Sequence, residues 1–244
     1  SEVIEISILV LSALGTSILS GIMGMGGGIL LLTIMMQFFP PAILIPLHGS
    51  IQWSSNISRA YFNRKDILWK MTLPFILGAA VGAVAGSQFV IALDEVTLKL
   101  MLGTFILVLT WMPKADFLSK VKGKFYVLGG VVSFLSFFVG ATGPLIAPFF
   151  LHEKMQKKQI VATKASFQIF VHTFKMITFF ALGFSFKEHW LVMSLMIGAV
   201  ILGSYVGKQY IGKLKDKTFK WIFKGLITVL AGRMLITTLL KIYG

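Results

Sequence analysis

Six stretches of this chain are long and apolar enough, or nearly so, to cross a bilayer as helices: Ile43–Phe62, Met71–Leu93, Thr97–Met112, Ile160–Phe184, His189–Gly207 and Phe219–Leu240. A spanning helix needs about 20 such residues. In lipid each backbone N–H and C=O must be satisfied within the segment, so runs of this kind have little choice but helix. The surface chemistry agrees. Only 13% of the chain is charged, about half the roughly 25% with which a soluble domain faces water. The expected fold class is an all-α polytopic membrane protein.

Two further regions are too long for one helix and are interrupted by glycine. Val3–Phe39 contains Gly24-Met25-Gly26-Gly27-Gly28, and Phe125–Leu151 contains Gly140-Ala141-Thr142-Gly143-Pro144. Each reads as a helix, a break and a shorter helix. At the extreme N-terminus Glu2 and Glu5 stand where a signal peptide would carry Lys or Arg, so residues 3 onward are expected to be mature structure.

The two broken regions belong to a longer correspondence. A shift of 116 puts Gly24 on Gly140, Gly27 on Gly143, Ser50 on Ser166 and Gln52 on Gln168. A shift of 121 then puts Trp69 on Trp190, Gly82 on Gly203 and Gly86 on Gly207, and one of 122 pairs Asp94 with Asp216 and Gly103 with Gly225. The expected organisation is a first membrane repeat over 1–113, a cytoplasmic linker over 114–124 and a second membrane repeat over 125–244. Each repeat is a Gly-broken helical hairpin plus three transmembrane helices.

Loop charges orient the copies. The connection 59–70 carries Arg59, Arg64, Lys65 and Lys70, whereas 92–96 carries Asp94 and Glu95. In the second half the pattern swaps, with Lys208, Lys213, Lys215 and Lys217 on the counterpart of the acidic loop. Placing 59–70, 114–124, 154–164 and 208–224 in the cytoplasm puts 18 of the 23 basic residues there. Both termini then lie outside, and an odd number of crossings per half turns the second copy upside down. Inverted-topology repeats of this kind are a transporter architecture. The location implied is the inner (cytoplasmic) membrane. The net charge of +14 thus serves orientation; no basic module interleaved with aromatics lies outside the apolar runs, so nucleic acid is not an expected partner.

Polar groups concentrate on two spans. His48, Gln52, Asn56 and Arg59 lie on one, and Lys164, Gln168, His172 and Lys175 on the other, both with spacing 4, 4, 3. That spacing confines each set to one helical face. Gln and Asn are able to bridge neighbouring helices, and Arg59, Lys164 and Lys175 to snorkel to headgroups. Against that bland account, a cation in the hydrocarbon costs about 2.5–3.5 kcal/mol even on the lenient insertion scale, and no span has an interior Asp or Glu to offset it. Cations without acids suit an anion's pathway. His48 and His172 either carry protons or only hydrogen-bond. Trp53 either walls a pocket or packs.

The glycine breaks fit the same pathway. Gly26, Gly27 and Gly28 expose backbone N–H groups before a short helix from Ile29, and Thr142 and Gly143 do so before Leu145. Free N–H groups and the positive end of the dipole attract anions. The competing account is a kink for close packing. For the ridge Gly78, Gly82 and Gly86, tight helix packing is the preferred reading.

These glycine-rich hairpins, the Ser50- and Ser166-centred spans, the GxxxG span Leu73–Gly86 and the duplication resemble the TauE/SafE sulfite exporter family. The most specific pieces are Gly24–Gly28 with Ile29–Leu32, and Gly140–Pro148. Thr33 departs from the family, whose first glycine motif is usually followed by proline. The resemblance implies a bacterial-type transporter exporting sulfite, organosulfonates or related small anions, coupled to an ion gradient.

The function expected is therefore a secondary transporter working by alternating access. Its substrate-binding set is Gly26, Gly27, Gly28, His48, Gln52, Asn56, Arg59, Thr142, Gly143, Lys164, Gln168, His172 and Lys175. A passive anion channel and, more remotely, a membrane-embedded enzyme are the alternatives; no HExxH motif, paired intramembrane carboxylates or nucleophile–base pair supports the latter. No cofactor or metal is expected. Besides the anion and the bilayer, a coupling proton or cation and a second copy of the chain (a homodimer) remain open as partners.

Overall fold

The protein is seen in a computed structural model that describes residues 2–90, 93–113, 120–150, 153–213 and 216–243. All regular elements among the described residues are helical. In order they are α1 Glu2–Met23, α2 Gly27–Met35, α3 Pro41–Phe62, α4 Trp69–Val90, α5 Glu95–Trp111, α6 Lys124–Val139, α7 Gly143–Ile146, α8 Lys157–Ala181, α9 Trp190–Gln209 and α10 Asp216–Tyr243, with short 3-10 turns between some of them. Residues 114–119 of the expected linker lie outside the described set.

Both long interrupted regions are broken where the sequence puts glycine. Gly24 and Gly26 have φ of 76° and 93°, and Gly140 has φ of 69°. A side chain would resist those angles, so the helices end there. The short helix after the first break begins at Gly27, two residues before the expected start at Ile29. After the second break α7 lasts one turn and continues as a 3-10 turn, Ala147–Phe150. Pro148 lies in that turn and has no N–H to donate to a longer α-helix.

Among the described residues four helical segments are long and apolar enough to cross a membrane: Glu2–Met23, Trp69–Val90, Phe186–Gln209 and Lys220–Tyr243. The outward faces of α4, α9 and α10 carry exposed Leu73, Leu77, Val81, Leu195, Ile222, Val229 and Ile236. Buried instead are Ser17, His48, Gln52, Arg59, Lys164, Gln168 and Lys175. Apolar outside and polar inside is the arrangement of a protein solvated by lipid. Helices α3 and α8, of 22 and 25 residues, have the length to span, but the polar groups that lower their hydropathy place them at the centre.

Helices pack in pairs: α1 along α9, α4 along α6, α3 against α8 and α5 against α10. Glycine sets two of these contacts. A Cβ on Gly82 would stand 2.0 Å from Gly130 O, and one on Gly78 1.9 Å from Tyr126 O. The ridge therefore packs backbone on backbone, as its spacing predicts. On the α1–α9 side a Cβ on Gly203 would stand 2.7 Å from Leu14 O, and one on Gly207 2.6 Å from Ile18 O. Hydroxyls add to the α1–α9 seam and tie α4 to a third helix. Ser17 Oγ donates to Val200 O at 2.7 Å, and Thr72 and Ser166 share a hydrogen bond of 2.8 Å between α4 and α8.

Candidate functional site

Helices α3 and α8 run antiparallel through the centre: His48 meets His172 at one level, and Arg59, further along α3, shares the cavity wall with Lys164, further back along α8. Trp53 Nε1 donates to Thr173 Oγ1 at 2.8 Å. The His48 and His172 rings meet edge to face with centroids 6.3 Å apart. The Lys175 side chain lies over Gly49, where a Cβ would come within 3.1 Å of its Cε. Trp53 thus ties the two central helices together.

A cavity of about 40 Å³ opens between these helices and the two breaks. Its middle is Gln52 and Gln168. One end holds Asn56, Arg59 and Lys164, the other His48 and His172. Backbone at Gly26, Gly28 and Gly143 completes the wall. Both glycines lie close to cavity side chains: a Cβ on Gly28 would crowd Gln52 Oε1 at 3.3 Å, and one on Gly143 would touch Lys164 Nζ at 3.4 Å. The polar face legible from the 4, 4, 3 spacing is thus brought to one place.

Three of the expected residues sit outside that lining. Gly27 packs against α1, where a Cβ would fall 2.0 Å from Thr16 O. Thr142 is buried beside the break. Lys175 is fully buried and donates to Gly140 O at 2.9 Å and to Ser136 O at 3.3 Å. Those carbonyls end α6, so the ammonium closes a broken helix. Conversely, Ser20, Met25, Ile29, Ala141, Pro144 and Ala165 line the cavity without having been singled out. Met25, Ala141 and Pro144 lie inside the two glycine motifs and were readable by position; Ser20, Ile29 and Ala165 carry no such signal.

Hydrogen bonding around the cavity is incomplete. Arg59 Nη1 donates to Asn56 Oδ1 at 3.0 Å and Nη2 to Ser55 Oγ at 2.9 Å, while Asn56 Nδ2 donates to Gln52 O at 2.8 Å. His48 Nε2 lies 2.9 Å from Gly28 O. Left buried without a partner are His48 Nδ1, Arg59 Nε, Thr142 Oγ1, Gln168 Nε2 and His172 Nδ1. Each such atom costs roughly 1–3 kcal/mol, so five in one neighbourhood mark a place built for something polar. Arg59 and Lys164 are buried as well, so neither snorkels to the headgroups. Among the described residues no carboxylate lines the cavity.

The profile of the sulfite exporter TauE/SafE family matches residues 9–234, nearly the whole chain.

The protein belongs to the TauE/SafE sulfite exporter family.

Neither the comparison with curated proteins nor the one with solved structures gives a match. Membership makes this an integral membrane protein of a transporter family whose name carries sulfite as cargo. It also sharpens the departure at Thr33. Where the TauE/SafE family usually has proline, α2 here stays a regular helix through Met35, and Thr33 Oγ1 donates to Ile29 O at 2.7 Å.

A second cavity, of about 380 Å³, adjoins the central one. Met25, Gly26, Ile29 and Pro144 wall both. Its far side is made by Trp111, Lys220 and Lys224, with Lys224 Nζ 5.1 Å from the centre of the Trp111 ring.

Proposed function

We propose that this protein is a secondary transporter exporting a small sulfur oxyanion, sulfite or a close relative, across the cytoplasmic membrane by alternating access. The observation that carries the reading is the convergence of unpartnered polar atoms and buried cations from both halves on one cavity without a carboxylate. At about 40 Å³ it has room for roughly three waters, each needing about 10–15 Å³ by this measure. A compact anion with three or four oxygens is of that size. Gln52 and Gln168 donate to it from the middle, Lys164 and Arg59 supply charge, and the free N–H groups at the start of α2 add their dipole. The backbone at Gly143 holds the opposite wall beside Lys164.

An inverted repeat is the architecture that suits this function. Exchanging the halves maps α1 to α6, α3 to α8, α4 to α9 and α5 to α10. The contact of α1 with α9 then becomes that of α6 with α4, while the α3–α8 and α5–α10 contacts map onto themselves. The observed pairing supports this, as does the antiparallel crossing of α3 and α8. With basic loops in the cytoplasm and both termini outside, the larger cavity beside Lys220 and Lys224 is the inner vestibule. His48, His172 and Lys175 then close the outer route. The state described is therefore inward-facing, with Met25 and Pro144 at the inner threshold.

The test is sulfite flux in proteoliposomes. Gln52→Leu and Gln168→Leu are expected to abolish it while expression and folded yield stay intact. Flux unchanged in both variants would remove these residues from the pathway.

A further inference from the structure

The outer end of the central cavity holds a pair of groups that anion binding does not explain. His48 and His172 come from different halves, meet with ring centroids 6.3 Å apart, and are both buried. Because His48 Nε2 faces the Gly28 carbonyl at 2.9 Å, that nitrogen must carry the hydrogen. The uncharged ring then presents Nδ1 as a bare lone pair, and His48 Nδ1 has no donor near it. His172 Nδ1 is buried without a partner as well, and either nitrogen of that neutral ring can carry its hydrogen. An oxyanion offers only acceptors, so it leaves the His48 lone pair unsatisfied. A proton held between the two rings satisfies it.

The surroundings decide when that proton is held. The charged group facing the pair is Lys175 on α8; Lys164 on α8 and Arg59 on α3 stand at the other end of the same cavity. From α2 the neighbour is the Gly28 carbonyl, and from the α1 and α7 ends come Ser20, Gly143 and Pro144. No carboxylate is among them. One more positive charge here is opposed until a negative one enters the cavity.

Building on the transport reading above, we infer that His48 and His172 form a shared proton-binding site, loaded together with the anion, and that the cargo is an oxyanion plus one proton moving in the same direction. Each ligand then promotes the other's binding by the same factor. The pair titrates as a unit, with the proton on one imidazole at a time. A divalent oxyanion accompanied by one proton retains one net negative charge, so an inside-negative membrane potential drives the complex outward. Export follows without a second coupling ion.

The experiment is nitrogen NMR of the purified full chain carrying isotope-labelled histidine, recorded at about pH 8, above the ~6.5 of a free imidazole. The chain has four histidines, so assignment is tractable. Adding sodium sulfite is expected to move one imidazole signal from the neutral to the protonated position. H48Q and H172Q identify the pair and remove the response; should either fail to fold, H152Q and H189Q remove the other two signals and leave the pair by subtraction. Four histidines that remain neutral while sulfite binds, or a response that survives in both H48Q and H172Q, overturn the inference. Sulfite counterflow in wild-type proteoliposomes separates the two readings. Without counterflow the transport reading falls and this inference falls with it; counterflow with neutral histidines removes the inference alone.

Discussion

The two halves of the molecule place matching polar residues on matching helices and then use them differently. Arg59 is held by its own helix, through Asn56 and Ser55, and remains part of the cavity wall. Its counterpart Lys175 reaches across to Gly140 O and Ser136 O and closes the end of α6. Lys164 instead points at the second break beside Gly143, while its counterpart His48 is turned onto Gly28 O in the first break. The breaks differ too. The first is followed by a regular nine-residue helix, the second by one α turn and a 3-10 turn containing Pro148. Matching positions 116 residues apart in the sequence therefore do not carry matching roles: of the two lysines on α8, the structure makes one a cap and leaves the other beside the cavity.

The largest test of that comparison lies in the glycine seams. A Cβ on Gly82 meets backbone at 2.0 Å, while one on Gly203 meets it at 2.7 Å. Gly82→Ala is expected to destabilise by about 3 kcal/mol or more, at the upper end of overpacking costs, and Gly203→Ala by clearly less. Thermal unfolding in detergent reads both. Equal losses would mean that the α4–α6 and α1–α9 seams are equally forgiving.

Next come the two lysines. Lys175→Met takes the ammonium away from Gly140 O and Ser136 O, the latter keeping the Gly140 N–H, and is expected to lower stability by about 1–3 kcal/mol, whether or not sulfite is present. Lys164→Met is expected to leave the melting temperature nearly unchanged and to cut sulfite flux roughly ten- to hundred-fold, the worth of one charge-assisted hydrogen bond of about 1.5–3 kcal/mol. A reversal of these outcomes would exchange the two roles.

The smallest effect belongs to a helix start. Asp94 caps α5, accepting from Thr97 N at 2.9 Å and from Thr97 Oγ1 at 2.7 Å. Those bonds, the backbone one foremost, hold its carboxyl below the ordinary aspartate value. A lowered acid contributes stability above its unfolded value and loses it as pH falls through its folded one. Asp94→Ala should thus melt slightly earlier than wild type at neutral pH, and the gap should close in acid. A gap that persists at low pH would show that the cap acts without its charge.

Much of this was legible in the chain itself. Glycine announces both breaks because positive φ is a local property. A 4, 4, 3 spacing announces a shared face because helical geometry is local as well. What the spacing could not convey is where a long side chain ends. Lys175 shares a face with Gln168 and His172, yet its ammonium finds the carbonyls of a helix some 35 residues away in sequence. Gly27 looked like part of an anion cradle, but contact with Thr16 makes it a packing position. Ser20 and Ala165 enter the lining only because α1 and α8 bring them there.

The central claim is that one compact anion is held between Gln52 and Gln168, where the two halves cross. Thermal unfolding of the purified protein with and without sodium sulfite tests it most directly, since a ligand of the folded state stabilises by about 2.7 kcal/mol at one hundred times its Kd. The account predicts a rise in melting temperature for wild type that disappears in Gln168→Leu. No rise in wild type, or an equal rise in the variant, would contradict it.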